Sequence, residues 1–415
     1  MRRRPHGYRS PNWHGEPNVN HLLLASVHLS ATGLTALIVR HFLKWKDSAD
    51  VARRAAAASA LARAYLQSDL DIDDRIAAEA ALTLLLDDPS PKVRFALAEA
   101  LSGSARAPAQ IVTALVHDQI DIAAIVIARS PVIHDGDLIE RARTSPPALQ
   151  RLIAGRAEVS NSLARALSRH GAADAVLELV GNANARVCRD CLDMIVDRFA
   201  GHANLRGALL ERSDLPPELR YRLMKAAGQA LGESPFIRAV AGPEMADHLV
   251  RDGEQKALCA LMAQLDTAGC AALVDPMRDH GDLTTVLLVR AVCRGQIDFL
   301  ASVLSSLADV PPQRVTAILV NERTNQLRAL LTNAGLADTV QPVFVQAVAL
   351  WRDVAVGRLS AGVQEITRRV LERMERETAG RRDAANDDIL GLLRSIHLDA
   401  MRDNARAHAR DLAAA

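Results

Sequence analysis

The sequence predicts an all-α protein, an irregular HEAT-like helical-repeat solenoid with additional C-terminal helices, on three observations. Apolar residues recur at helical spacing in runs of about ten residues. Short polar or proline-bearing turns separate these runs. The chain is 49% hydrophobic but only 3% aromatic, so its core must come from Ala, Leu, Val and Ile. Ala and Leu are strong helix formers, and short side chains let antiparallel helices approach closely. Few segments alternate β-branched or aromatic residues between hairpin turns, which argues against a sandwich or barrel.

The first organised run begins at Val51, where Val51, Ala55, Ala58 and Leu61 share one face and Arg53, Arg54 and Arg63 lie outside it. Ile76 to Leu86 gives a second helix, stopped by Asp87-Asp88-Pro89-Ser90-Pro91, and Lys92 to Leu101 restarts the period. Pro91 suits a helix start, because its missing N–H falls where backbone donors have no intrahelical partner anyway. Ile111 to Val116, Ile120 to Ala128, Ser160 to Leu167 and Ala172 to Val180 continue the pattern, with Asp88 and Asp118 30 residues apart. Proline starts recur at Ser145-Pro146-Pro147, Asp214-Leu215-Pro216-Pro217 and Asp309-Val310-Pro311-Pro312. The intervals are irregular, and a compact helical bundle is the alternative arrangement. Paired helices burying one face against the next pair nevertheless provide a mechanism for a solenoid.

Beyond Gly232 the pattern becomes less regular, and Gly232-Glu-Ser-Pro235 and Gly242-Pro-Glu244 read as turns. Longer helical candidates occupy Val363 to Glu377 and Ile389 to Ala405. In the first of these, Val363, Ile366, Val370 and Met374 form an apolar face expected to dock internally, with binding to another chain as the alternative. The expected organisation is a leader over residues 1–50, disordered or a helical cap, HEAT-like repeats over 51–240, a second helical region over 241–340 and C-terminal helices over 341–415.

The leader carries Arg2, Arg3, Arg4 and Arg9 ahead of an uncharged 18-residue run, Leu22 to Val39. That length makes a marginal membrane span conceivable. Ser26, His28, Ser30, Thr32, Gly33 and Thr35 interrupt the run, and no small-residue cleavage pattern follows closely. The soluble reading is therefore preferred over membrane association through residues 22–39 and over export.

With 50 basic and 49 acidic residues, the formal charge is +1, which provides no general attraction to nucleic acid or an anionic membrane. Five cysteines in so long a chain do not make a disulfide framework, and a reducing cytoplasm is the simpler setting.

Three segments bear on chemistry. Cys188 and Cys191 form a CxxC pair to which His202 might add a ligand, but no second pair or fourth ligand is evident, and Val187, Cys188, Cys191, Leu192 and Ile195 fit a helical apolar stripe. His134-Asp135-Gly136-Asp137 invites a catalytic or metal reading; the alternative is that Asp137 caps a helix starting at Leu138 and leaves His134 in the turn. Asp71, Asp73 and Asp74 lack the donor spacing of a calcium loop, and Asp387-Asp388 suits the start of the following helix. There is no phosphate-cradling GxxxxGK[ST], no GxSxG and no HExxH. Arg94, Arg129, Arg156, Arg169, Arg189 and Arg220 would support nucleic-acid binding only if they converged on a groove.

Asp88-Pro-Ser-Pro-Lys-Val-Arg-Phe-Ala-Leu-Ala-Glu-Ala-Leu101, Ala128-Arg-Ser-Pro-Val-Ile-His-Asp-Gly-Asp-Leu-Ile139 and Gly181-Asn-Ala-Asn-Ala-Arg-Val187 resemble the bacterial domain-of-unknown-function family 2336. Gly281-Asp-Leu-Thr-Thr-Val-Leu-Leu-Val-Arg-Ala-Val-Cys-Arg-Gly295 extends the resemblance over about residues 51–336. It implies a helical, HEAT-like bacterial protein of the kind found in alphaproteobacteria, and no transferable site residues. The expected function is a noncatalytic scaffold binding another protein, with a nucleic-acid-binding repeat protein and an enzyme with an unrecognised active site as alternatives. Asp88 to Pro91, Asp118 to Asp121 and Ser145 to Pro147 are candidate binding loops. Catalytic residues are unknown, and no metal or cofactor is expected.

Overall fold

The computed structural model describes residues 50–321, 323–378 and 384–414. The Leu22–Val39 run lies outside them. Among the described residues the chain forms 22 α-helices and no strand, apart from one isolated bridge between Val159 and Ala185. It divides between Cys188 and Arg189 into two compact units.

The first unit contains α1 (Val51–Gln67), α2 (Ile72–Leu84), α3 (Pro91–Leu101), α4 (Ala109–Val116), α5 (Ile120–Arg129), α6 (Asp135–Thr144), α7 (Pro147–Ala154), α8 (Asn161–His170) and α9 (Ala173–Gly181). Its packing is repeat-like. Helices α1, α3, α5, α7 and α9 lie against one another in succession, while α6 packs on α8 and sequence neighbours such as α4 and α5 form pairs. The predicted faces explain this: Ala58 and Leu61 of α1 and Val93 and Leu97 of α3 are fully or almost fully buried. Each buried aliphatic side chain contributes about 1.5–3 kcal/mol relative to exposure.

Between layers, arginine side chains tie turns to helices. Arg54 holds Asp88 through two bonds of 2.9 and 3.1 Å. Arg94 holds Asp118 in the same bidentate way, at 2.7 and 3.0 Å, and also donates to the Asp88 carbonyl at 2.6 Å. Asp88 and Asp118 each take a backbone N–H as well, from Ser90 and Gln119. Further along, Arg156 donates to the carbonyls of Ile127 and Ser130, and Asn182 to those of Ala154 and Arg156. These bonds satisfy carbonyls that a short helix leaves without intrahelical donors.

The second unit contains α10 (Arg189–Phe199), α11 (Ala203–Glu211), α12 (Pro217–Gly232), α13 (Pro235–Ala241), α14 (Pro243–Met262), α15 (Thr267–Asp279), α16 (Thr285–Cys293), α17 (Ile297–Ala308), α18 (Pro312–Val320), α19 (Thr324–Asn333), α20 (Gln341–Ala355), α21 (Val363–Thr378) and α22 (Ala384–Ala414). Its centre is α16, buried at every position from Leu287 to Cys293 and touched by α14, α17, α20, α21 and α22. A helix apolar all round belongs in a core. On α21, Ile366, Val370 and Met374 are buried against neighbouring helices, so the amphipathic face docks internally.

The caps follow local chemistry. Asp50, Asp71, Ser160, Asp266 and Thr284 each accept a backbone N–H at a helix start. Helices α3, α7, α12, α13, α14 and α18 begin on proline. Asp71 with Asp73 and Asp74 therefore forms a cap and an acidic first turn. No helix among the described residues is long and apolar enough to cross a membrane.

Candidate functional site

The residues singled out in the sequence do not assemble into one reactive centre. Helix α6 begins at Asp135, three residues earlier than the Leu138 start expected, with His134 as its exposed cap residue. Asp137 is thus in the first turn rather than at the cap. Asp135 accepts a bond from Ser160 at the start of α8. Asp137 turns instead to Thr113 of α4, 3.2 Å away, with His117 at 4.0 Å. The two carboxylates are engaged by different elements.

Cys188 is half-buried ahead of α10, Cys191 is buried within that helix, and His202 is the exposed cap residue of α11. No group of three or more His, Cys, Asp or Glu side chains among the described residues gathers as metal donors. Burial pushes the Cys259 and Cys270 thiols up to about 11 and Cys293 to about 12, which leaves them protonated and poorly nucleophilic.

Of the six arginines considered for a basic groove, Arg94 is bound by Asp118 and Arg189 by Glu218. Arg156 and Arg220 cap helix ends, the latter through the Leu210 and Arg212 carbonyls at 2.7 Å each. Arg129 and Arg169 are exposed. In the candidate loops Asp88 is buried against Arg54 and Ser145 is buried, while Pro89, Ile120, Asp121, Pro146 and Pro147 are exposed.

The most distinctive surface lies in the second unit, between α12, α13 and α14. There a recess of about 570 Å³ is lined in part by the small residues Ala227, Gly228, Gly253 and Ala257. Large apolar side chains surround it. Leu231 is 54% exposed, Phe236 76%, Val240 73% and Leu249 54%. Helix α13, Pro-Phe-Ile-Arg-Ala-Val-Ala, buries none of its residues. It joins α14 through Gly242, whose φ of 79° and ψ of 157° are practically restricted to glycine. Single exposed apolar residues are ordinary on a protein surface; here several large ones flank one recess.

Two of the recess-lining residues, Lys225 and Glu254, belong to a polar cluster. Lys225 reaches Glu254 at 2.9 Å and Asp282 at 3.2 Å, while the buried Tyr221 donates its hydroxyl to Asp282. Burial, the bond to Asp282 and that carboxylate's charge all raise the Tyr221 hydroxyl well above its usual range. For Lys225, burial works against the charge, but the Glu254 bond and the Asp282 and Glu254 charges outweigh it and hold the ammonium above its usual value. Both groups stay protonated at neutral pH. Tyr221 and Lys225, four residues apart on α12, thus both bond the Asp282 carboxylate.

Sequence reasoning read this stretch only as two turns. The available signal was Pro235 to Ala241 itself, an apolar run enclosed by Gly/Pro breaks and too short to bury several faces at once.

No curated protein and no solved structure matches the chain. The family described as "Uncharacterised protein conserved in bacteria (DUF2336)" matches residues 122–382, running from within α5 past the end of α21 and including the recess. The match covers well over half of the sequence, and the chain belongs to this bacterial family.

Proposed function

We propose that the protein is a noncatalytic, cytoplasmic protein-binding scaffold whose helical pairs form a HEAT-like solenoid. The observation that carries the binding role is the exposed apolar recess between α12, α13 and α14. Large apolar side chains exposed beside small lining residues are the kind of surface on which a partner's side chain can be desolvated, as at an interface hot spot. The bonds that tie Asp135 to Ser160, Asp137 to Thr113, and Tyr221 and Lys225 to Asp282 favour structural over catalytic roles for those groups. Absence of a disulfide among the five cysteines is consistent with a reducing compartment. The repeat-like contacts of the first unit support the solenoid, because alternate helices stack on one another in succession.

The test is a photo-crosslinking residue placed at Phe236 in the full chain, compared with one at the exposed polar position Arg129. The expected result is a discrete set of protein adducts from position 236 that Val240→Asp abolishes. Equal, nonspecific labelling from both positions would count against the reading.

A further inference from the structure

We propose that the seat of α22 is a docking site for an amphipathic helix of a partner protein, held closed by α22 as a displaceable strap. The partner helix would carry two carboxylates one turn apart beside an apolar stripe. The charged residues of this seat are separate from those that line the α12–α14 recess.

The pattern is set by the helix now in place. On α22, Ile389, Leu393, Ile396 and Ala400 are buried at i, i+4, i+7 and i+11, the spacing of a helix laid in a groove. Helices α16 and α21 form that groove. Beside the stripe, Asp399 bonds Arg290 at 3.1 Å and Lys256 at 3.0 Å, and one turn further Asp403 bonds Arg294 at 2.9 Å. Arg290 and Arg294 are themselves one turn apart on α16, so the two pairs set the register of the docked helix. Among the described ion pairs the seat itself supplies one carboxylate, Asp252, which bonds Lys256 at 2.8 Å and Arg290 at 3.0 Å. With α22 lifted, three cations share that single anion. Arg402 and Arg406, which pair with Asp399 and Asp403 from the exposed side, belong to α22 and leave with it.

The attachment has the features of a reversible one. Apolar burial on α22 ends at Ala400, and every residue from Met401 to Ala413 is exposed. Arg290 interrupts an otherwise apolar buried stretch from Leu287 to Cys293, and its Nε is buried with no hydrogen-bond partner among the described residues. A buried ion pair returns much of its Coulombic gain as desolvation cost, so it fixes where a helix docks more than how tightly. An apolar residue at 290 would hold α22 more firmly. A second copy of the chain brings an identical α22 to an identically closed seat, so exchange between copies gains no new contact. A partner helix of the same pattern can gain some.

Amide hydrogen exchange and peptide binding test the proposal on the full-length protein. In wild type, the amides of residues 389–400 are expected to exchange at least about tenfold faster than those of α16, because α22 opens while the rest of its unit stays folded. Equal protection of the two helices overturns the proposal, since α22 then leaves only on unfolding. A fluorescent peptide of residues 384–414 should bind the Asp399→Arg chain, whose own strap is repelled, at least about tenfold more tightly than wild type. The same peptide carrying Asp399→Arg and Asp403→Arg should bind neither chain. Equal binding of the two peptides, or no binding to either folded chain, overturns the proposal as well. So does a concentration-dependent dimer that Asp399→Arg abolishes, which would make the occupant the α22 of a second copy. If the Asp399→Arg chain does not fold, the wild-type exchange result decides alone.

Discussion

Gly295 shows how one residue can be fixed by two independent constraints. Its φ of 82° lies in the left-handed region, and the Trp351 ring lies 2.8 Å from the point where a Cβ would stand. Trp351 is itself held by its indole N–H, which donates to the Val292 carbonyl at 2.9 Å on the core helix α16. A methyl group at 295 must therefore bear backbone strain and also displace a ring that anchors α20 to α16. Gly295→Ala should destabilise the protein by about 2–4 kcal/mol, from the left-handed penalty together with overpacking. Denaturant unfolding checks this, and a loss below half a kilocalorie would show that Trp351 relaxes freely. A replacement at Gly242 meets the backbone restriction alone, since nothing surrounds its Cβ position.

Among the elements, α22 joins a buried half to an exposed one. Ile389, Leu390, Leu393, Ile396 and Ala400 are buried, whereas every residue from Met401 to Ala413 is exposed. The junction is electrostatic. Asp399 bonds the buried Arg290 at 3.1 Å and Lys256 at 3.0 Å, while Asp252 bonds the same two cations at 3.0 and 2.8 Å. A cation inside the apolar helix α16 requires such partners, and losing one leaves charge buried without full compensation. Asp399→Ala should cost about 2–3 kcal/mol, less than the value for a fully buried pair because Asp252 remains. Residues 405–413 are exposed helix, and deletion from residue 405 onward should change stability by less than about 0.5 kcal/mol. Thermal melts of the two variants separate these cases, and equal losses would contradict this division of α22.

The same elements show what the sequence could reveal. Proline starts, capping aspartates and aliphatic faces are local signals, so α3, α7, α12 and α18 were legible, as was the internally buried Ile366-Val370-Met374 face. At His134-Asp135-Gly136-Asp137 the local signal was ambiguous, since several neighbouring residues can begin a helix, and the start falls at Asp135 rather than Leu138. Apolar spacing also cannot show which apolar residues find partners. Phe236 and Val240 look like core residues in sequence and are exposed because no element among the described residues covers them. The carboxylate partners of Arg54, Arg94 and Arg290 were hidden for the same reason, lying 34, 24 and 109 residues away.

Across the whole molecule, a near-zero net charge conceals carboxylates whose ionisation the fold has come to depend on. For Asp88 and Asp118, burial alone would raise the carboxyl pKa, but the Arg54 and Arg94 hydrogen bonds, the backbone donors and the guanidinium charges together hold both below the usual range. The Arg212 bond does the same for Asp214, and at Asp252 the Lys256 bond and the Lys256 and Arg290 charges outweigh burial. A carboxyl whose pKa is lower folded than unfolded contributes its full stability above the unfolded value and loses it as pH falls through the folded one. Stability should therefore hold from neutrality to about pH 4, the unfolded aspartate value, and decline below it. Charge is the cause rather than packing, so replacing Asp88 and Asp118 together with Asn should lower stability at neutral pH and flatten the acid dependence. Urea unfolding over a descending pH series measures both effects, and an Asn double variant as acid-sensitive as its parent would show that these arginine-bound aspartates do not govern the response.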